Sequence, residues 1–331
     1  MTGTGPILVT GADRSGTTLL YGLLSSHPDI AMVRRTNLWR WFDRRYGDLS
    51  DPENLDRCLD GLLSYRRLHV LEPDVDRIRE ELRRGVATYG RLFAILHGQH
   101  AARLGRRRWG DKSLHTEYHA DRVFAELPEA TMIQLVRDPR DRHASIIRRY
   151  EDGEKGVAAT TGSWIASVRQ GRRNVARYPN RYRLVRYETL ATRPEETLRD
   201  LCDFLDERYE PGMLRMEGLA TDRDRSGNSS FEDFDPGVIS TRSIGRYRSI
   251  LPGRDLAFIQ IAAGRHMAAH GYAADPRPLT PRERPRFYAV TLPSTTIRLV
   301  GWSALHRLEL RRRPAPPAHR VDSPAKEVAG P

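Results

Sequence analysis

Pro6-Ile7-Leu8-Val9-Thr10, then Gly11-Ala12-Asp13-Arg14-Ser15-Gly16-Thr17-Thr18, then Leu19-Leu20-Tyr21-Gly22-Leu23-Leu24 read as a buried strand, a glycine loop and a helix. The loop has the length and glycine spacing of a phosphate loop, but Thr17 stands where the common Gly-Lys-Ser/Thr ending places its lysine. Backbone N–H groups at a positive helix end, the Ser15, Thr17 and Thr18 hydroxyls and the charge of Arg14 can still hold a phosphate. The same residues equally describe a glycine turn with Thr17 or Thr18 as the helix cap.

Outward from this unit, helical spacing over 55–71, 75–82 and 92–104 predicts a helical insertion at about 50–105 that walls a substrate cleft. Trp109-Gly110-Asp111-Lys112-Ser113-Leu114-His115 opens a helix-like stretch to Leu127, and 131–136 is read as the second strand. A helix through Ile147, another over 164–176, a strand at 182–187 and a helix at 195–205 continue the alternation. A loop over 221–241 and a helix at 255–270 complete it. Strands alternating with helices predict an α/β fold, a P-loop-type central parallel sheet flanked by helices. The expected division is a domain over 1–272 and a partly disordered C-terminal extension over 273–331, in which 295–310 forms an amphipathic helix.

The 331 residues are 39% hydrophobic and 30% charged, enough for a core and too polar for an integral membrane protein. Fifty-five Lys and Arg against 43 Asp and Glu leave +12, which favours an anionic partner: nucleic acid, acidic lipid or a phosphorylated cofactor. Lysine occurs only at 112, 155 and 326, so a position that keeps it is informative. Cys58 and Cys202 lie far apart without a CxxC neighbour, which argues against a zinc site or disulfide framework. With no leader-like start and no spanning run, the expected location is the cytoplasm.

Arg137 closes the strand at 131–136 and Ser145 follows eight positions later, so both can meet one anion at the carboxyl end of the sheet. In isolation Arg137 reads more simply as a partner of Asp138 or Asp141 in a solvated turn.

Taken together, the motifs resemble those of sulfotransferases. Gly11 to Leu20 resembles their 5′-phosphosulfate loop, and Val136-Arg137-Asp138-Pro139-Arg140-Asp141 with Ser145 resembles their 3′-phosphate motif, in the same order. Trp109 to Ser113, Leu184-Val185-Arg186-Tyr187-Glu188 and Ser243-Ile244-Gly245-Arg246-Tyr247-Arg248 resemble blocks of the bacterial branch related to carbohydrate and tyrosylprotein sulfotransferases.

The resemblance implies an enzyme that moves a sulfuryl group from 3′-phosphoadenosine 5′-phosphosulfate (PAPS) to an acceptor hydroxyl and releases adenosine 3′,5′-bisphosphate. It places Arg14, Ser15, Gly16, Thr17, Thr18 and Leu19 around the 5′ end and Arg137 with Ser145 at the 3′-phosphate. Tyr187 would line the adenine pocket, and Ser243, Gly245 and Arg246 would close the 3′ side. No metal is expected.

Lys112, scarce as an ammonium and next to an expected strand, is the candidate that stabilises charge on the bridging oxygen. The base is open. Some relatives place a glutamate after the loop helix, whereas this chain reads Val33-Arg34-Arg35-Thr36-Asn37-Leu38, leaving His115, Asp111 or Asp43. The arginines at 34, 35, 40, 44 and 45, interleaved with Trp39, Trp41 and Phe42, read equally as a site for an acidic or glycosidic acceptor and as a structural entrance to the cleft; the acceptor expected is a small molecule, carbohydrate or glycolipid. Arg311-Arg312-Arg313 hints at weak contact with an acidic membrane surface. A P-loop kinase or NTPase is disfavoured by Thr17, and a nucleic-acid-binding module by the lack of a binding motif.

Overall fold

The computed structural model describes residues 5–149, 156–216, 238–276 and 279–312. Five strands, β1 Ile7–Gly11, β2 Ile30–Arg34, β3 Arg108–Lys112, β4 Thr131–Val136 and β5 Tyr182–Arg186, form one parallel sheet in the order β2-β3-β1-β4-β5. After β1 the chain builds toward β2 and β3, then crosses to β4 and β5. The sheet therefore has a switch point at β1, and the crevice beyond its carboxyl edge is where such sheets bind ligands.

Alternate residues of β1 point to opposite faces and feed two cores. Leu8, with Met132 and Tyr182, packs under the helices α3 Pro52–Ser64, α4 Val75–Arg83, α5 Tyr89–Arg103 and α6 Ala120–Glu126, which follow the short turn α2 Leu38–Trp41. Ile7, Val9, Ile133 and Leu135 pack against α1 Thr17–Ser25, α9 Tyr187–Thr192 and α10 Pro194–Leu205. Between them lie α7 Pro139–Arg149 and α8 Val157–Arg177, and α11 Tyr247–Ile250 and α12 Gly253–Ala269 follow. Side-chain caps start the inserted helices: Asp51, Asp74 and Thr88 accept the N–H groups of Glu53, Arg77 and Arg91.

Two elements differ from the sequence reading. Ile30–Arg34 is an edge strand that the reading passed over, and Arg108–Lys112 is a strand rather than the opening of a helix. The strand read as second is therefore the fourth along the chain. The inserted helices contribute most of the first core. Most of the loop expected at 221–241 lies outside the described residues, as does the tail beyond 312.

The last helix, α13 Leu292–Arg311, lies against α8: a Cβ added at Gly162 would meet the Trp302 ring at 2.5 Å. That part of the extension is packed on the body of the protein.

One buried ion pair anchors the lower edge of the sheet. Arg108 donates to Glu207 at 3.0 Å, to the Leu205 carbonyl at 2.6 Å and to the Gly5 carbonyl at 2.6 Å, with Arg107 also on Glu207. Both Arg108 and Glu207 side chains are essentially inaccessible. Glu207→Ala leaves Arg108 buried without its counter-charge, so urea unfolding is expected to show a loss of about 3–5 kcal/mol.

Candidate active site

The phosphate-loop geometry follows from two left-handed residues, Arg14 at φ 66° and Gly16 at φ 91°. Gly16 is required twice. Its φ suits glycine, and a Cβ there would meet the Tyr187 ring at 2.2 Å. Leu19 and Leu20 both donate to the Gly16 carbonyl, and no side chain caps α1. The N–H groups of Gly16, Thr17 and Thr18 thus open the helix without an intrahelical acceptor. Beside them the Ser15 hydroxyl is buried and has no partner among the described residues. This cradle fits an anion. The Leu19 side chain is core, and its N–H is taken by Gly16.

Arg137 projects from the end of β4 into the space between the loop and the Ser243 segment. It donates to the Arg14 carbonyl at 3.2 Å and the Ser243 carbonyl at 2.8 Å, lies over the Tyr187 ring at 4.7 Å, and keeps a buried Nε without a partner among the described residues. Tyr187 in turn bonds the Ser243 hydroxyl at 2.7 Å. Arg14 does not point toward the loop's own cradle: its Nε donates to Ser145 at 3.0 Å. The structure thus gathers Arg14, Arg137, Ser145, Tyr187 and Ser243 into one cluster. The solvated-turn alternative for Arg137 does not hold, because Arg137 is buried, Asp138 is occupied by Arg140 at 2.6 Å and Asp141 accepts the N–H groups of Gly245 and Tyr247.

Asp141 positions the far loop. Its two oxygens accept the N–H groups of Gly245 at 2.7 Å and Tyr247 at 2.9 Å. Arg246, between them, is half-buried. Arg142, also on α7, grips the phosphate loop by donating to the Asp13 carbonyl at 2.6 Å and to Thr160 and Ser163 on α8. Burial pulls even this guanidinium down to about 10. Neither residue stood out in the sequence, although both lie inside the stretch that carries Arg137 and Ser145.

Lys112 ends β3 beside Val9, 4% exposed. Burial pushes its ammonium down to about 7, Arg35 and Arg34 add to this, and Asp111 and Asp13 oppose it. His115 follows in a left-handed turn at φ 67°, three residues on. Burial lowers it to about 3, with Arg40 and Arg142 reinforcing and loop residue Asp13 opposing. Its Nδ1 has no partner among the described residues. Lys112 and His115 therefore both feel Asp13 and sit at the loop. Asp111, by strand alternation, points away from Lys112 and accepts Thr36 at 2.7 Å and Ser113 at 2.9 Å. Asp43 pairs with Arg122 at 3.2 Å.

Beside His115 stand Tyr118, whose ring stacks on it at 6.1 Å, Arg40 and the inner face of α13. Tyr118 meets His306 edge-on at 5.3 Å, Trp302 stacks on His306 at 4.7 Å, and Arg40 pairs with Glu309 at 2.6 Å. His27, Asp29 and Glu207 cluster elsewhere with metal-like spacing. Both His27 nitrogens are in use, Nδ1 accepting from Asp29 and Nε2 donating to the Arg208 carbonyl, while Glu207 serves Arg107 and Arg108, so the cluster is an ion-pair network.

A parallel sheet with a lysine-free glycine loop at its switch point, and an arginine tying that loop to the Ser243 segment, defines a P-loop-type α/β fold. The model of the sulfotransferase family matches residues 6–211, and the chain belongs to that family. A protein-tyrosine sulfotransferase of Drosophila melanogaster is 25% identical over 233 residues, 64% of this chain. The match spans 40% of that protein's length. The sulfotransferase domain from the curacin biosynthetic pathway shares the fold with a TM-score of 0.55 at 19% identity, covering 82% of this chain and 99% of that domain. That of the Synechococcus PCC 7002 olefin synthase does so with a TM-score of 0.53 at 20% identity, covering 82% and 95%.

Proposed function

We propose that the protein transfers a sulfuryl group from PAPS to an acceptor hydroxyl. The observation that carries this reading is Arg137, which ties the phosphate loop at Arg14 to the Ser243 segment while Arg14 reaches Ser145. One end of the cleft is thereby a cradle of N–H groups with a free Ser15 hydroxyl, and the other is a cationic cluster. A nucleotide bearing an anion at each end suits that division better than a triphosphate, which needs one clustered site and a loop lysine.

When bound, PAPS supplies an activated sulfuryl group on a 5′-phosphate leaving group. Gly16, Thr17 and Thr18 hold that phosphate through their N–H groups, with the Ser15 hydroxyl. Arg137, Arg14 and Ser145 hold the 3′-phosphate, and Tyr187, fixed by Ser243 and Gly16, walls the nucleotide. Lys112 meets charge developing on the bridging oxygen, an interaction stronger in the transition state than in the ground state. His115, whose Nδ1 has no partner among the described residues, is the base candidate that takes the acceptor proton; the burial that lowers it to about 3 weakens it in that role. The aromatic and cationic lining from Arg40, Trp302 and His306 suits a carbohydrate, small-molecule or glycolipid hydroxyl.

The test is binding. Adenosine 3′,5′-bisphosphate at about 100 times its dissociation constant is expected to add about 2.7 kcal/mol to stability, read as a higher melting temperature. ATP with magnesium and short oligonucleotides are expected to do less. Preference for ATP with magnesium would overturn the donor assignment.

A further inference from the structure

The outer face of α13 is apolar where a surface helix is ordinarily polar. Its inner face, Thr295, Leu299, Trp302 and His306, follows helical spacing and packs on the body. The opposite positions are Ile297, Val300, Gly301, Ala304 and Leu308, and Leu305 borders them. Ile297 is 72% exposed, Val300 63%, Leu305 68% and Leu308 43%, so this one helix displays a contiguous greasy stripe. Exposed arginines flank it: Arg298 and Arg307 on the two sides, Arg311 and Arg312 at the end. The helix carries one acidic residue, Glu309, and that residue is paired with Arg40. No helix of the described residues is long and apolar enough to cross a membrane.

We propose that α13 lies on an anionic lipid surface, its stripe sunk into the headgroup boundary and its arginines on the acidic headgroups. An apolar stripe rimmed by cations is the pattern of an interfacial helix. The charge rim decides between occupants. A second copy docked through the same stripe in an isologous pair would set arginine rim against arginine rim, whereas acidic lipid complements both features at once. Nucleic acid would match the arginines but leave the stripe in water.

Co-sedimentation with vesicles tests this without any activity assay. The full chain is expected to bind vesicles of equimolar phosphatidylcholine and phosphatidylglycerol and to be left in the supernatant by phosphatidylcholine alone. Binding should weaken with added salt because headgroup attraction is screened. Ile297→Asp with Leu308→Asp is expected to weaken binding about tenfold or more. Arg298→Gln with Arg307→Gln should reduce the preference for the acidic lipid. Both variants should keep the wild-type melting temperature and affinity for adenosine 3′,5′-bisphosphate, which separates loss of the surface from loss of the fold. Equal binding of wild type and the aspartate variant overturns the proposal, as does no binding of wild type to acidic vesicles. A concentration-dependent dimer in sedimentation velocity that the aspartate variant abolishes, without lipid binding, assigns the stripe to a second copy instead and likewise overturns it.

Discussion

Lys112→Met is expected to abolish most sulfuryl transfer and at the same time to stabilise the fold. The catalytic half rests on the position of the ammonium at the carboxyl end of β3 beside the phosphate loop. Removing a single preorganised group that meets developing charge costs about a hundredfold to a thousandfold in turnover. Transfer from radiolabelled PAPS to a total lipid and glycan extract measures it, and adenosine 3′,5′-bisphosphate affinity should change much less.

The stability half follows from burial. Lys112 titrates near 7 in the folded protein and near its ordinary 10.5 when unfolded. Between those values the unfolded chain binds more protons, so stability rises with pH across the window. Below about 7 both states are protonated and the full penalty of the buried charge is present. Methionine removes it, so the variant should gain on the order of 4 kcal/mol near neutrality, with the difference vanishing toward pH ~10. Because the protonated lysine is the active form, kcat/KM should fall as pH rises above about 7. His115, lowered to about 3, should contribute no limb near its ordinary 6.5. A Lys112→Met protein that is less stable at neutral pH, or that keeps its turnover, would remove the lysine from this role.

Arg137→Ala is expected to fail in the opposite way, losing donor binding and not chemistry. Arg137 is 2% exposed, and its guanidinium donates two N–H groups to the Arg14 and Ser243 carbonyls and stacks on Tyr187. Without it the phosphate loop and the Ser243 segment are no longer tied, and the 3′ side loses its central charge. Charge-assisted hydrogen bonds contribute about 1.5–3 kcal/mol each, so loss of two such bonds to the 3′-phosphate predicts a dissociation constant for adenosine 3′,5′-bisphosphate about a hundredfold weaker or more. Turnover at saturating PAPS should stay within a few-fold of wild type. Arg137→Lys should recover only part of the affinity, because an ammonium lacks the planar fork that reaches both carbonyls. If instead Arg137→Ala lowers turnover and Lys112→Met lowers affinity, the two roles are exchanged.

How much of this could be read from the chain depends on what each segment buries. The stretch from Pro6 to Leu24 identifies strand, loop and helix by itself because β1 is buried on both faces and so is written as an uninterrupted apolar run. β4 was legible for the same reason, whereas β5 is an edge strand buried only at Tyr182 and Val185 and was legible from its aromatic and branched residues. β3 was not: Arg108-Trp109-Gly110-Asp111-Lys112 is mostly buried yet polar, because its side chains serve Glu207, Thr36 and the phosphate loop rather than a hydrophobic face. No periodicity rule detects a strand whose interior contacts are hydrogen bonds. β2, Ile30-Ala31-Met32-Val33-Arg34, was hidden by the arginines that end and follow it.

The sequence by itself determined the α/β class, the lysine-free loop, the arginine and serine after β4, and the one informative lysine, since these rest on local spacing and side-chain chemistry. Tertiary structure alone decided the partners. Arg14 turns to Ser145, 131 positions away, and Asp141 holds the Gly245 turn across 104 residues. α13, from a segment expected to lie outside the domain, packs beside Tyr118 and α8 and turns an apolar stripe outward. The physical reason is that spacing along a chain constrains neighbours within a helix or strand, whereas contacts between distant segments are set by how packed elements bring their ends together at the edge of the sheet.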